Sequence, residues 1–265
     1  MILCQISDLH ITKDRRLACG VVDTATMLER CVARILKLPQ RPDAVIATGD
    51  LADAGQFEEY RLLRDLLAPL PMPLYLMPGN HDDRRLLRRV FADHVYLRQW
   101  EPFVQYVVED FALRLVALDT VIPGEDGGTL CSQRLAWLEQ TLARSNHPTV
   151  VALHHPPFAT GIGFMDRISM ANPTGLAAVI ARHPQVQRLI AGHVHRPIQT
   201  LFAGTMACTC PSPAHQVVLD LSSEKAGSFV MEPPSFQLHV STDAGVVTHA
   251  VYVDDFAGPY PFTAC

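Results

Sequence analysis

The chain has 265 residues, 48% of them hydrophobic and 18% charged, a balance that excludes a disordered polypeptide and a small scaffold dependent on disulfide staples. Its 22 basic and 27 acidic side chains give a formal charge of -5. No overall basic field therefore recruits nucleic acid or an anionic membrane, and any polyanionic substrate has to be held by something local. The first predicted element, residues 1–6, reads as a buried strand and not as a signal peptide, since it lacks a basic leading region and a small-residue cleavage site.

Residues 23–38 place Met27, Leu28, Cys31, Val32, Ile35 and Leu36 at helical spacing, with Glu29, Arg30, Arg34 and Lys37 on the polar side. A strand over 44–48, a helix over 57–67 and a strand over 74–77 follow, the strands ending in Gly49 and in Pro78-Gly79. Beyond them the pattern predicts a helix over 84–91, a hairpin from 103–108 and 112–118, and a helix from Ser132, as N-cap, to Arg144. Two further strands, 149–153 and 186–191, flank a helix over 174–182. From Ile198 the runs turn β-like (216–221, 228–231, 236–241, 246–253). The division expected is an α/β core over 1–197 and a β-rich part over 198–265 that completes the sheet and supplies a dimer contact.

No apolar run approaches the roughly 18 residues needed for a membrane-spanning helix. Seven cysteines (Cys4, Cys19, Cys31, Cys131, Cys208, Cys210, Cys265) at irregular spacing fit reduced thiols in the cytoplasm better than a disulfide framework. Cys208 and Cys210, a single pair without a partner cluster, read as ordinary thiols.

Five predicted strands end in metal-ligand residue types: Asp8 and His10, Asp50, Asn80-His81, His154-His155, and His193 with His195. In open α/β sheets the crevice beyond the carboxyl ends of the strands is where ligands bind, so these residues should converge. Imidazoles, hard carboxylates and an amide oxygen suit Mn, Fe, Zn or Co, and the absence of Cys from the strand ends argues against a thiolate site.

In this order, Asp-x-His, Gly-Asp, Gly-Asn-His-Asp, His-x-Pro and Gly-His-x-His resemble the signature of the calcineurin-like metallophosphoesterases. Within them the chain looks most like bacterial glycerophosphodiesterases and class III cyclic-nucleotide phosphodiesterases, a likeness extending to Arg41-Pro42-Asp43-Ala44-Val45, His215-Gln216-Val217 and Ala257-Gly258-Pro259. The resemblance implies a four-layer αββα sandwich with two metal ions at one edge. It assigns Asp8, His10 and His195 to one ion, Asn80, His154 and His193 to the other, and Asp50 as the bridge. A carboxylate suits bridging because its two oxygens can span ions roughly 3.5 to 4 Å apart. The implied reaction is hydrolysis of a small phosphodiester by a metal-bound hydroxide, with cyclic-nucleotide hydrolysis as the alternative.

His154 is preferred over His155 because it fits His-x-Pro with Pro156, and His155 is expected to support the ligands from behind. His81, next to a ligand, is expected to bind the phosphoryl group or protonate the leaving alkoxide. The resemblance places His215 at the substrate pocket. His94, His147, His183, His239 and His249 lack motif context and read as surface or structural. The run Arg84, Arg85, Arg88 and Arg89 reads as a solvated helix face in preference to an anion funnel, and Phe164 and Met165 read equally as pocket lining or as packing.

Related activities fit less well. Protein Ser/Thr phosphatases carry an Arg where this chain has Ala54 and a Glu where it has Asp82. Purple acid phosphatases carry a metal-binding Tyr at the position of Asp53. A DNA-repair nuclease of the same superfamily would call for a basic stripe, and a catalytically silent metal-binding module is disfavoured because every ligand position is filled. The partners expected are a small-molecule phosphodiester and further copies of the chain.

Overall fold

The computed structural model describes residues 1–222 and 226–262; Cys265 and the last residues of the β-rich part lie outside them. Strands and helices are interspersed as far as residue 191: β1 (Ile2–Ile6), α1 (Thr24–Leu36), β2 (Ala44–Thr48), α2 (Phe57–Leu67), β3 (Leu74–Met77), α3 (Arg84–Val90), β4 (Tyr106–Val108), β5 (Arg114–Leu118), β6 (Gly128–Thr129), α4 (Ser132–Ala143), β7 (Thr149–Leu153), α5 (Gly163–Arg167), β8 (Met170–Ala171), α6 (Pro173–Ile180) and β9 (Val186–Ala191). Strands alone follow: β10 (Gln199–Phe202), β11 (Thr205–Thr209), β12 (Gln216–Val217), β13 (Phe229–Val230), β14 (Ser235–Thr242) and β15 (Gly245–Tyr252). Among the described residues no helix is long and apolar enough to cross a membrane.

Two sheets stack face to face. The first has the order β15-β14-β1-β2-β3, with β1, β2 and β3 parallel, and the second the order β10-β11-β9-β7-β5-β4, with β5, β7, β9 and β11 parallel. Period-two alternation builds the layers. Leu115, Ala117, Val150, Ala152 and Ile190 join the core shared with the first sheet. Their neighbours Val116, Leu118, Val151 and Leu153 turn outward onto Leu138 and Leu142 of α4 and Leu176 and Val179 of α6. The apolar stripe of α1 (Leu28, Cys31, Val32, Ile35) covers the first sheet together with Leu63 and Leu67 of α2. The result is the αββα sandwich.

Local chemistry explains where elements begin. Asp23 caps α1, its carboxylate accepting from Thr26 N at 3.0 Å. Ser132 does not cap α4: it is the first helical residue, and Cys131 stands at the N-cap without a side-chain bond. Sequence spacing also misses the β10–β11 hairpin. Its two-residue turn, Ala203-Gly204, has positive φ at both positions (49° and 90°), a primed turn that an Ala-Gly pair does not announce. Residues beyond 197 thus add β10 and β11 to the second sheet and β14 and β15 to the first. Of the predicted strand over 216–221 only Gln216–Val217 pairs, with β13.

Cys208 and Cys210 are buried free thiols. Cys210 Sγ donates to Gln5 O and Cys208 Sγ lies near Leu189 O and Gln237 Oε1, so both serve the seam between the sheets.

Candidate metal centre

The carboxyl ends of β1, β2, β3, β7 and β9 bring Asp8 and His10, Asp50, half-buried Asn80, His154 and His193 with His195 into one cluster, buried apart from Asn80. Sharp exits from the strands make this convergence possible. Asp8, His10, Asp50, His193 and His195 all have positive φ (57°, 43°, 48°, 70° and 52°), a sparsely populated region for residues with a Cβ that persists only where the surrounding fold imposes it. Backbone bonds hold the loops together: Asp8 N and His10 N donate to Gly49 O and Asp50 O at 3.0 and 2.9 Å. Gly79 admits no side chain, because a Cβ there would collide with the backbone and carboxylate of Asp50.

The hydrogen bonds of the imidazoles identify what the cluster accommodates. His154 Nδ1 donates to Thr48 O at 2.8 Å, His195 Nδ1 to His215 O at 3.0 Å, and His193 Nε2 to Ile168 O at 2.9 Å. In its neutral form each ring therefore turns an unprotonated nitrogen inward. His195 Nε2 faces His10 Nε2 at 3.2 Å, while His154 Nε2 and His193 Nδ1 each lie 3.1 Å from Asn80 Oδ1. Asp50 Oδ1 is 3.4 Å from His154 Nε2 and Asp50 Oδ2 is 3.6 Å from His10 Nε2. Asp8 Oδ1 accepts from His193 N at 2.9 Å, and its buried Oδ2 has no partner among the described residues. Lone pairs facing lone pairs call for a cation between them. The residues fit divalent metal ions, in overlapping groups Asp8-His10-His195 and Asp8-Asp50-His154, with His193 beside the latter.

Without an ion the donors split in their electrostatics. Burial raises the Asp8 carboxyl to about 6, with Asp50 adding to the rise. For Asp50, burial works in the same sense, but His154 and His10 outweigh it and hold the carboxyl well below its usual range. Burial would lower His154, yet Asp50 beside it lifts it to about 9; His193 and His195, pushed down chiefly by burial, fall to about 3. A bound divalent ion would be the largest local charge and would hold all of these groups in their ligating forms.

Around the donors, His155 uses both ring nitrogens elsewhere: Thr120 Oγ1 lies 2.8 Å from Nδ1 and Asp126 O 3.1 Å from Nε2. Burial keeps it neutral, and its ring packs 4.6 Å from that of His193. His81 is exposed at the mouth, its Nδ1 2.6 Å from Asp53 O and its backbone N donating to Asp50 Oδ1 at 3.0 Å. His215 stacks edge-on against His195 at 4.7 Å and lies 5.6 Å from His10, so it borders the cluster. Sequence reasoning missed Asp53 as a supporting group. Its carboxylate lies 3.4 Å from His10 Nδ1, turning His10 Nε2 inward as the backbone carbonyls do for the other rings. The available signal was an acidic residue three positions after Asp50.

The arginine run departs from a solvated face. Arg84 makes a bidentate pair with fully buried Asp119 at 2.6 and 2.7 Å, and Arg88 donates to Leu97 O and Phe103 O at 2.9 and 2.7 Å. Phe164 and Met165 belong to a small apolar cluster with Ile162 and Val194, which is packing. Of the histidines without motif context, His239 is fully buried, His183 pairs with Glu139 at 3.1 Å, and His147 and His249 are exposed.

Comparison with known proteins gives a consistent picture. The family model described as calcineurin-like phosphoesterase matches residues 1–197. A probable glycerophosphodiester phosphodiesterase of Arcobacter nitrofigilis is 40% identical over 99% of this chain and 97% of its own length. A probable cyclic nucleotide phosphodiesterase of Rhodopseudomonas palustris is 39% identical over 92% of this chain and 89% of its own. Among solved structures, a dimetal phosphatase from Danio rerio superposes with a TM-score of 0.65 at 14% identity, covering 96% of this chain and 99% of that one. At that identity it speaks for the fold alone.

Proposed function

The chain belongs to the calcineurin-like phosphoesterase family and is a phosphoric diester hydrolase, and on that premise we propose that it hydrolyses small glycerophosphodiesters at a centre of two divalent ions. The observation that carries this reading is the set of inward imidazole nitrogens, each fixed from behind by a carbonyl or carboxylate and facing another acceptor. Asp8, His10 and His195 would hold one ion and Asn80, His154 and His193 the other, with Asp50 placed between the two groups. When bound, the ions (Mn, Fe, Zn or Co by donor chemistry) supply Lewis-acid polarisation of the phosphoryl oxygens and of the attacking water.

The protein's own groups do the rest. Thr48 O, His215 O, Ile168 O and Asp53 orient the imidazoles so that they need no reorganisation. In its imidazolium form His81, anchored through Nδ1–H on Asp53 O, offers Nε2–H to a phosphoryl oxygen or gives that proton to the leaving alkoxide. His215 lines the substrate side. Glycerophosphodiesters are favoured over 3′,5′-cyclic nucleotides because the glycerophosphodiesterase relative matches over more of both chains. The enzyme acts in the cytoplasm, without nucleic acid or membrane, and copies assemble through 198–265, where Leu221, Tyr252, Phe256 and Tyr260 are exposed.

Removal of His81 tests the chemistry. General acid catalysis is worth about 10²–10⁴-fold and matters most for poor leaving groups. His81→Ala should therefore damage hydrolysis of glycerophosphoethanolamine far more than that of bis(p-nitrophenyl) phosphate, with metal content unchanged. Equal losses on both would assign His81 to phosphate binding, and activity that survives exhaustive chelation would overturn the metal-dependent reading.

A further inference from the structure

Four arginines follow the Gly-Asn-His-Asp turn, and three are committed within the fold. Arg84 is held by Asp119 and also donates to Val121 O at 2.8 Å. Arg88 is held by backbone carbonyls, and the guanidinium of Arg89 lies 4.7 Å from the centre of the Phe57 ring. Arg85 has no hydrogen-bonding, ionic or aromatic partner among the described residues. It is exposed on the wall of a groove of about 420 Å³ that runs past His81 and is also lined by Gly55, Asp83, Val121 and Gly124.

The acids in the same groove differ from each other. Asp82 is spent: its oxygens accept from Leu51 N, Ala52 N, Gly79 N and Tyr60 Oη. Asp83 is half spent, because Oδ1 accepts from Leu86 N at 2.8 Å to cap α3 while Oδ2 has no partner among the described residues. Next to His81, whose ring lies 4.7 Å from that of His10, the groove therefore offers one free guanidinium and one free carboxylate oxygen.

We propose that Asp83 and Arg85 form a headgroup subsite for the ester arm lying past His81, and that the arm it fits is a zwitterionic amino-acid alcohol such as serine. The inference rests on the phosphodiesterase reading above. A guanidinium fork matches a carboxylate in two parallel bonds, and the free Asp83 oxygen matches the ammonium beside it. A purely anionic arm would be opposed by Asp83, and a purely cationic arm would leave Arg85 unmatched. In the reaction, water supplies the oxygen that bonds to phosphorus, the bond from phosphorus to the serine oxygen breaks, and that oxygen leaves protonated. The products are glycerol phosphate and serine.

The test compares kcat/KM for glycerophosphoserine, glycerophosphoethanolamine and glycerophosphoglycerol on metal-reconstituted enzyme. Charge-assisted contacts at exposed positions support an expected fall of about fivefold in the serine-to-ethanolamine ratio for Arg85→Ala, through KM. Arg85→Glu should lower the ratio further. Asp83→Asn, which retains the acceptor that caps α3, should weaken both amine substrates relative to glycerophosphoglycerol. Arg89→Ala should leave every ratio in place. Independently of turnover, O-phosphoserine should shift the Arg85 Nε–H resonance of the protein more than phosphoethanolamine does. Unmoved ratios in the Arg85 variants would overturn the subsite while leaving the enzyme's activity standing. If the wild-type protein hydrolysed none of these diesters, nor bis(p-nitrophenyl) phosphate, the functional reading would fall and the subsite with it.

Discussion

Histidines buried at the seam between the sheets and at the strand ends are separated by their hydrogen bonds. At the seam between the sheets, His239 is fully buried with Nε2 2.9 Å from Gln5 Oε1 and Nδ1 2.9 Å from Thr248 Oγ1. Gln5 in turn donates through Nε2 to Thr48 Oγ1 and Ala191 O at 2.9 and 3.0 Å, so donors and acceptors close on each other. At the strand ends, by contrast, His10, His154, His193 and His195 each satisfy one nitrogen and aim the other at a second acceptor. Burial is the same in both places, so burial does not mark the functional site. An uncompensated set of lone pairs does, because unpaired buried acceptors are costly unless a cation joins them.

The sharpest way to break the contrast is Asp50→Asn. The amide keeps the shape but removes the charge between the two groups of donors, and it should empty the centre and lower kcat by orders of magnitude. Mass-spectrometric metal content together with bis(p-nitrophenyl) phosphate turnover reads this out; full metal content and turnover in the variant would refute the bridging role. A smaller effect is expected from Asp53→Asn, which touches only the back of His10. Groups that orient metal-bound imidazoles are typically worth 10–100-fold in metal affinity, so competitive chelator titration should show a loss of about that size. An unchanged affinity would remove Asp53 from the centre.

The seam should respond to acid instead of to metal. Burial, reinforced by Arg188, pushes His239 down to about 3, whereas an unfolded imidazole takes its proton near 6.5. Below that value the unfolded state holds one more proton, so stability is full above about 6.5 and drains as the pH falls toward 3. Between pH 6 and 4, metal-free wild-type protein should lose about 1.4 kcal/mol per pH unit more than His239→Gln. Urea midpoints across that range decide, and parallel curves for the two proteins would show that His239 titrates normally.

Where the sequence is readable, the reason is physical. The parallel strands are buried on both faces and so appear as unbroken apolar runs such as Ala44–Thr48 and Thr149–Leu153. The ligand types stand where those runs stop, and the glycines beside Asp50 and Asn80 mark sharp turns. What escapes the sequence depends on partners distant along the chain. The Arg84–Asp119 pair spans 35 positions, so a helix-periodic reading could only place Arg84 on a polar face. The His-x-Pro spacing singles out His154 over its neighbour, but that Thr120 and Asp126 occupy the nitrogens of His155 is visible only in the fold. Asp53 carries no apolar pattern and acts only through its reach to His10 Nδ1.

The most direct test of the proposed two-ion centre is anomalous X-ray diffraction from crystals of the protein soaked in manganese. We expect two peaks joined by the Asp50 carboxylate, one bounded by Asp8, His10 and His195 and the other by Asn80, His154 and His193. A single peak, or a peak coordinated by His155 in place of His154, would contradict it.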